Sequence, residues 1–75
     1  MKMIRAIANT INDKTFIASM RYPATENDKN DMIVNASKWF NNPVYNNWRV
    51  ELCNCDMIDD EPSNIEIIQT WNIDL

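Results

Sequence analysis

Not one of the 75 residues is glycine, and none is histidine. Without glycine the chain cannot form a phosphate-cradling loop, a dinucleotide-binding fingerprint or a nucleophile elbow, because each of these needs glycine at fixed positions. Without histidine it lacks the usual general base and the commonest metal ligand. The sequence therefore favours a binding protein over an enzyme, and we expect no catalytic residues and no cofactor.

The length of the chain allows one small domain, which we place at residues 1–75. Hydrophobic residues make up 45% of the chain, a normal fraction for a globular protein. No apolar run approaches the ~18 residues that a membrane span needs. Residues 1–5 also lack the apolar stretch of a signal peptide, so we expect a cytoplasmic protein that does not contact a membrane.

The formal charge of −4 is distributed unevenly along the chain. Residues 1–50 hold all seven cations against four acids, whereas residues 51–75 hold seven acids and no cation. This asymmetry favours a partner with a basic surface, either a protein or a protein–nucleic-acid complex. A solvated acidic face that keeps the protein soluble is the alternative. Direct binding to nucleic acid is disfavoured, because the seven cations are scattered along the sequence.

A β-hairpin is predicted over residues 1–22. Residues 2–9 form the first strand, with Ile4, Ala6 and Ala8 on one face. Asn12 and Asp13 tolerate turn dihedral angles and therefore mark the turn. The second strand spans residues 15–22 and alternates cleanly. Its apolar face consists of Phe16, Ala18, Met20 and Tyr22.

An amphipathic helix is predicted over residues 26–41. Thr25 and Asp28 resemble a capping box in which Asp replaces Glu. The apolar residues that follow recur at helical spacing. They are Met32, Ile33, Ala36, Trp39 and Phe40. Residues 41–43 read Asn-Asn-Pro and end the helix, because proline cannot continue it.

Two further strands are predicted after the helix. Trp48, Val50 and Leu52 alternate with polar residues and cysteine as far as about residue 58, and residues 59–64 form a polar turn. The apolar residues of the last strand are Ile65, Ile67, Trp71, Ile73 and Leu75. The chain is therefore predicted to be an α+β protein of order ββαββ, in which one helix packs on a face of a four-stranded antiparallel sheet.

The helix is predicted to cover one apolar core. Its members are Phe16, Met20, Ile33, Phe40, Leu52, Ile67 and Trp71. Because this core is small, a homodimer that forms through a strand edge is an open alternative to a monomer.

The residue types that could bind a metal do not form a convincing site. Cys53 and Cys55 lie about 7 Å apart along a strand, which is too far for an easy disulfide, and zinc sites need four ligands. We expect two free thiols, buried or half-buried. Asp56, Asp59 and Asp60 lack the spacing and the glycine of a calcium-binding loop, so no metal ligands are predicted.

The densest cluster of acids is predicted to bind a basic partner, with a solvated β-turn as the alternative. Exposed aromatic residues would hold the complex, although packing in the core is the commoner outcome for a residue such as Trp39. The candidate partner-binding residues are Asp56, Asp59, Asp60, Glu61, Trp39 and Tyr45. Changing Asp59→Lys together with Asp60→Lys is predicted to slow association without unfolding the domain.

A family resemblance is carried by the strand Thr15–Tyr22, the capped helix Thr25–Phe40 and the strand Trp48–Ile58. In a tiny acidic chain rich in Asn and Ile, whose codons are AT-rich, this order is similar to that of small phage-encoded inhibitors of host machinery, anti-CRISPR proteins among them. The resemblance rests on size, composition and topology. It implies an inhibitor of a host defence or nucleic-acid-processing complex in the host cytoplasm. A dimerising accessory or regulatory subunit without inhibitory activity is the alternative.

Overall fold

A computed structural model describes residues 1–39 and 41–73. The elements are β1 (Lys2–Thr10), β2 (Thr15–Arg21), a short 3-10 helix (Glu26–Asp28), α1 (Lys29–Trp39), β3 (Tyr45–Ile58) and β4 (Glu61–Asn72). The strands form one antiparallel sheet in the order β2-β1-β3-β4, and α1 packs on β1, β2 and β3. The predicted α+β architecture and ββαββ order are therefore confirmed.

The helical segment begins at the predicted capping box. The Thr25 hydroxyl accepts a hydrogen bond from the Asn27 amide, and the Asp28 carboxylate accepts one from the Thr25 amide at 2.9 Å. Arg21, the last residue of β2, donates to Asp28 at 3.0 Å and so ties the strand to the start of the helix. Two hydrogen bonds lower the pKa of the Asp28 carboxyl, the one from the Thr25 amide more than the one from the Arg21 side chain.

The core lies between α1 and one side of the sheet, which we call the helix face. This face carries the predicted apolar residues of β1 and β3, and all are buried. They are Ile4, Ala6, Ala8, Trp48, Val50 and Leu52. The residues that cover them from the side of α1 are Ala24, Met32 and Ala36. Partly buried residues at the edge of this core include Ile33 and Trp71. Phe40 and Leu75, which the sequence also placed in apolar positions, lie outside the described residues.

The predicted face of β2 is right for Phe16 and Ala18 and wrong for Met20, because the strand carries an extra residue. Ser19 pairs with Ala6 and Ile17 pairs with Ile7, so the intervening Ala18 forms a β-bulge that reverses the alternation. Met20 therefore packs with residues on the other side of the sheet, away from α1. Phe16 is on the helix face but exposed at its end, and Tyr22 follows the strand and is also exposed.

The predicted face of β4 is right for Trp71 and Ile73, which pack against the core, and wrong for Ile67, for the same reason. Its register against β3 shifts twice, and each shift leaves an extra residue in β4. Ile67 pairs with Cys53 on the side away from α1 and is 49% exposed, so its assignment to the core was wrong. The helix cannot cover it, because α1 packs on the opposite side of the sheet.

Residues with positive φ mark the turns and bulges of the sheet. They are Asp13, Asn47, Asp59, Asp60 and Asn64. Asp and Asn tolerate this region better than other residues with a side chain. In a chain without glycine they supply the left-handed positions, and the prediction of a turn at Asn12 and Asp13 is confirmed.

The side of the sheet away from α1, which we call the open face, holds a buried ionic network. Glu51 is 3% exposed and accepts hydrogen bonds from Arg5 at 2.8 Å and Arg49 at 3.3 Å. Cys53 and Cys55 lie on the same face as buried free thiols, as the sequence predicts. Burial raises the pKa of the Cys53 thiol, against a smaller lowering by the Arg5 charge.

Candidate functional site

The β3–β4 hairpin extends beyond the rest of the sheet. The last residue pair between β1 and β3 joins Lys2 to Asn54, and the amino group of Met1 donates to the Cys55 carbonyl at 2.9 Å. From there to the turn, β3 pairs only with β4. We call residues 56–63 the acidic arm. It is a two-stranded ribbon that projects from the end of the sheet.

The tip of the acidic arm is a two-residue turn. Asp59 and Asp60 have φ values of 53° and 63°, the pattern of a type I′ turn, which matches the twist of a hairpin. The polar turn was predicted over residues 59–64, but β4 already begins at Glu61. The tight turn therefore holds the two Asp residues at the outermost point of the arm, where both are exposed.

The remaining acids of the site lie next to this turn. Glu61 pairs with Ile58 across the ribbon, and the Asp56 carboxylate accepts a hydrogen bond from the Asn64 side chain at 3.0 Å. The arm contains four acids and no cation. Within residues 1–39 and 41–73, none of the ion pairs involves these four carboxylates. The arm thus presents four negative charges without a counter-ion from the protein.

Exposed isoleucines accompany the acids along the hairpin. Ile58, next to the turn, is 51% exposed, and three further isoleucines of β4 are exposed as well. These three are Ile65, Ile67 and Ile68. None of the four was predicted to be a surface residue; Ile67 was predicted to lie in the core and Ile65 on the same apolar face of the last strand. The adjacent Ile67 and Ile68 interrupt the alternation, and such an interruption is the sequence signal of a bulge that could have revealed their exposure.

The structure separates the two predicted aromatic anchors from the acidic arm. Tyr45 begins β3, at the end opposite to the arm, where it pairs with Thr10 and lies with its ring centroid 5.5 Å from that of Phe16. Trp39 ends α1 six residues before Tyr45 and is 61% exposed. The four acids are therefore close together, but neither aromatic residue lies beside them.

The chemistry available at the arm is recognition by charge and by apolar contact. In the described part of the chain, no three His, Cys, Asp or Glu side chains are grouped so as to hold a metal ion. Neither helical segment found there is long and apolar enough to cross a membrane. No family model matches the chain, and no curated protein or solved structure gives a significant match.

Proposed function

We propose that this chain is a small binding protein that inserts its acidic arm into a basic site of a protein or a protein–nucleic-acid complex. The observation that carries the proposal is the exposed Ile58 among four carboxylates, none of which forms an ion pair within the described residues, on the projecting arm. An arm that served only solubility would need the carboxylates alone. Apolar side chains gathered at the surface are typical of protein-binding sites.

The two kinds of residue have different roles in this proposal. The carboxylates attract a basic surface and speed association, an effect that salt screens beyond a Debye length of about 8 Å. Ile58 lies beside the turn and would enter an apolar pocket, which slows dissociation. Ile58 thereby takes the anchoring role that the sequence analysis gave to Trp39 and Tyr45.

The biological role we propose is that of a phage-type inhibitor of a host defence or nucleic-acid-processing complex. The size, acidity and ββαββ order of the chain support this role by their resemblance to such inhibitors. An acidic ribbon that occupies a basic site competes with the phosphates of nucleic acid for the same cations. Inhibition would then follow from occupancy, without any catalytic step.

The turn geometry dictates which variant can test the role of charge. Lysine at positions 59 and 60 would be forced into the left-handed region, at about 1–2 kcal/mol for each residue. Slower binding by that double variant could thus reflect a lost turn. Asp59→Asn combined with Asp60→Gly removes two charges and keeps the residue types that type I′ turns favour.

The test uses the full chain and this double variant as matched baits in a bacterial lysate, followed by association kinetics with the captured protein. We expect the variant to capture less and to associate more slowly at low salt, with the two rates converging at high salt. Ile58→Ser should leave the association rate unchanged and speed dissociation. Equal association rates for bait and double variant at low salt would refute the proposal.

A further inference from the structure

A second exposed apolar surface lies at the end of the sheet opposite to the acidic arm. We call it the apolar pole and define it by Ile11, Phe16, Val44 and Tyr45. Ile11 is 66% exposed, and its amide donates to the Val44 carbonyl at 2.9 Å. The rings of Phe16 and Tyr45 lie against each other, and Phe16 and Val44 are exposed as well. These contacts bring apolar residues from three chain segments together at one end of the sheet.

The size of this surface is within the range of functional apolar patches. Trp39 lies five residues before Val44 and adds an exposed indole at the same end. With aromatic side chains of about 150–250 Å² and smaller aliphatic ones, the exposed parts add up to roughly 400 Å². The largest apolar patch of a typical monomer measures about 300–600 Å² and is often functional.

The charges around the pole differ from those on the arm. Asp13 and Lys14 lie in the β1–β2 turn beside Ile11, and Lys38 precedes Trp39. Both signs are therefore present at the rim. A contact between two identical surfaces related by a two-fold axis can place Lys14 of one copy near Asp13 of the other. The rim is thus complementary to itself, whereas the arm is complementary only to a basic surface.

We propose that the apolar pole is the interface between two copies of this chain. Pairing through the poles directs the two acidic arms away from each other in a molecule 34 Å long, so their charges are separated by far more than the Debye length of about 8 Å. About 400 Å² of apolar surface per copy supplies the centre of an interface of standard size, about 800 Å² per partner. The asparagines of residues 41–47 lie beside the pole and suit a polar rim.

The predicted dimer through a strand edge is disfavoured by the same structure. Both edge strands, β2 and β4, carry β-bulges, and β4 also contains Pro62 and Glu66. Bulges, proline and charge are the devices by which proteins prevent pairing between edges. The inference is independent of the proposed function, although a dimer with two outward arms would engage two basic sites with greater avidity.

The test is sedimentation equilibrium of the full chain from about 1 to about 500 μM, a range in which a reversible dimer changes its population. We expect the wild type to pass from monomer to dimer. Ile11→Ser with Trp39→Ser should raise the dissociation constant at least about tenfold, with an unchanged circular dichroism spectrum. The matched control, Ile67→Ser in the edge strand, should dimerise as the wild type does.

Three results would overturn the pole dimer. The first is a wild type that stays monomeric throughout the range. The second is a dimer broken by Ile67→Ser but not by the pole variant, which would assign the contact to β4. The third is a series of oligomers that grows with concentration, since a two-fold contact must close at two copies. Failure of the arm variants to alter partner binding would leave this measurement unaffected.

Discussion

The two ends of strand β3 differ in what covers them. At the end next to the helix, Trp48, Val50 and Leu52 alternate with residues of the open face and are buried against α1. Toward the acidic arm the positions on the same side of β3 become Asn54 and Asp56, and Ile58 beyond them is exposed. A helix of 11 residues covers only part of the sheet, so the apolar residues of β3 are a core near α1, whereas Ile58 is a surface residue. Stability and the proposed recognition therefore belong to different parts of one strand.

The largest effect on stability is expected from a substitution in α1, the helix that covers the core. Ala36→Asp places an unpaired carboxylate at a fully buried position, a change that costs several kcal/mol in a domain whose total stability is about 5–15 kcal/mol. We expect this variant not to fold. Val34→Asp changes the exposed side of the same helix and should unfold in urea close to the wild-type midpoint. Cooperative unfolding of the Ala36 variant at the wild-type midpoint would contradict the core assignment.

A matched pair of truncations tests the comparison within the hairpin itself. Leu52→Ala empties part of the buried core and should destabilise the protein by about 2–5 kcal/mol. Ile67→Ala removes an exposed side chain from the neighbouring strand and should cost less than about 1 kcal/mol. Denaturation followed by tryptophan fluorescence measures both. Equal losses would mean that the helix-covered and uncovered parts of the hairpin are not distinct.

The order of elements, the capping box and the alternation of β1 and β3 could be predicted because they depend on short-range patterns. The faces of β2 and β4 could not, since one extra residue such as Ala18 reverses every side chain beyond it. A bulge has little effect on composition or average hydrophobicity. The strict alternation assumed for β4 therefore placed Ile67 in the core and Ile65 on the same apolar face.

The acids of the site could be found from the sequence, but their neighbours could not. Asp59 and Asp60 fall at a turn that local chemistry predicts. Trp39 and Tyr45 are exposed or half-exposed, but their distance from the arm depends on which end of β3 each one is near. Strand direction and register decide that point, and neither follows from residue type.

A smaller effect is expected at the start of the helix, which fixes how α1 lies on the covered end. Thr25→Ala removes the capping hydroxyl and should cost about 1 kcal/mol, while Thr25→Ser keeps the hydroxyl and should cost less. Urea denaturation at neutral pH measures the difference. A Ser variant as unstable as the Ala variant would mean that the hydroxyl does not stabilise the helix.

The same cap makes stability depend on pH. Hydrogen bonds lower the pKa of Asp28 in the folded state below the unfolded value of about 3.9. The ionised carboxylate therefore stabilises the fold above that value, and the contribution is lost as the pH falls through the folded pKa. Asp28→Asn should reduce the loss of stability on acidification, and an unchanged pH profile would show that the cap does not titrate as described.

The smallest expected effect concerns the turn at the tip of the arm. Asp60→Gly removes the strain of a side chain at a φ of 63° and should therefore stabilise the turn. The greater freedom of glycine in the unfolded chain offsets part of this gain, so the expected net stabilisation is about 0.5 kcal/mol. The arm has few buried contacts and opens locally, so amide exchange of residues 56–63 measures the gain better than global unfolding does. Exchange there should slow about twofold and stay unchanged at Val50.

Asn47→Gly relieves the same strain inside the covered end, where amides exchange through larger openings, and should instead slow exchange at Val50. If Asp60→Gly slowed exchange equally at both ends, the arm would open only together with the core, and the separation of recognition from stability along β3 would fail.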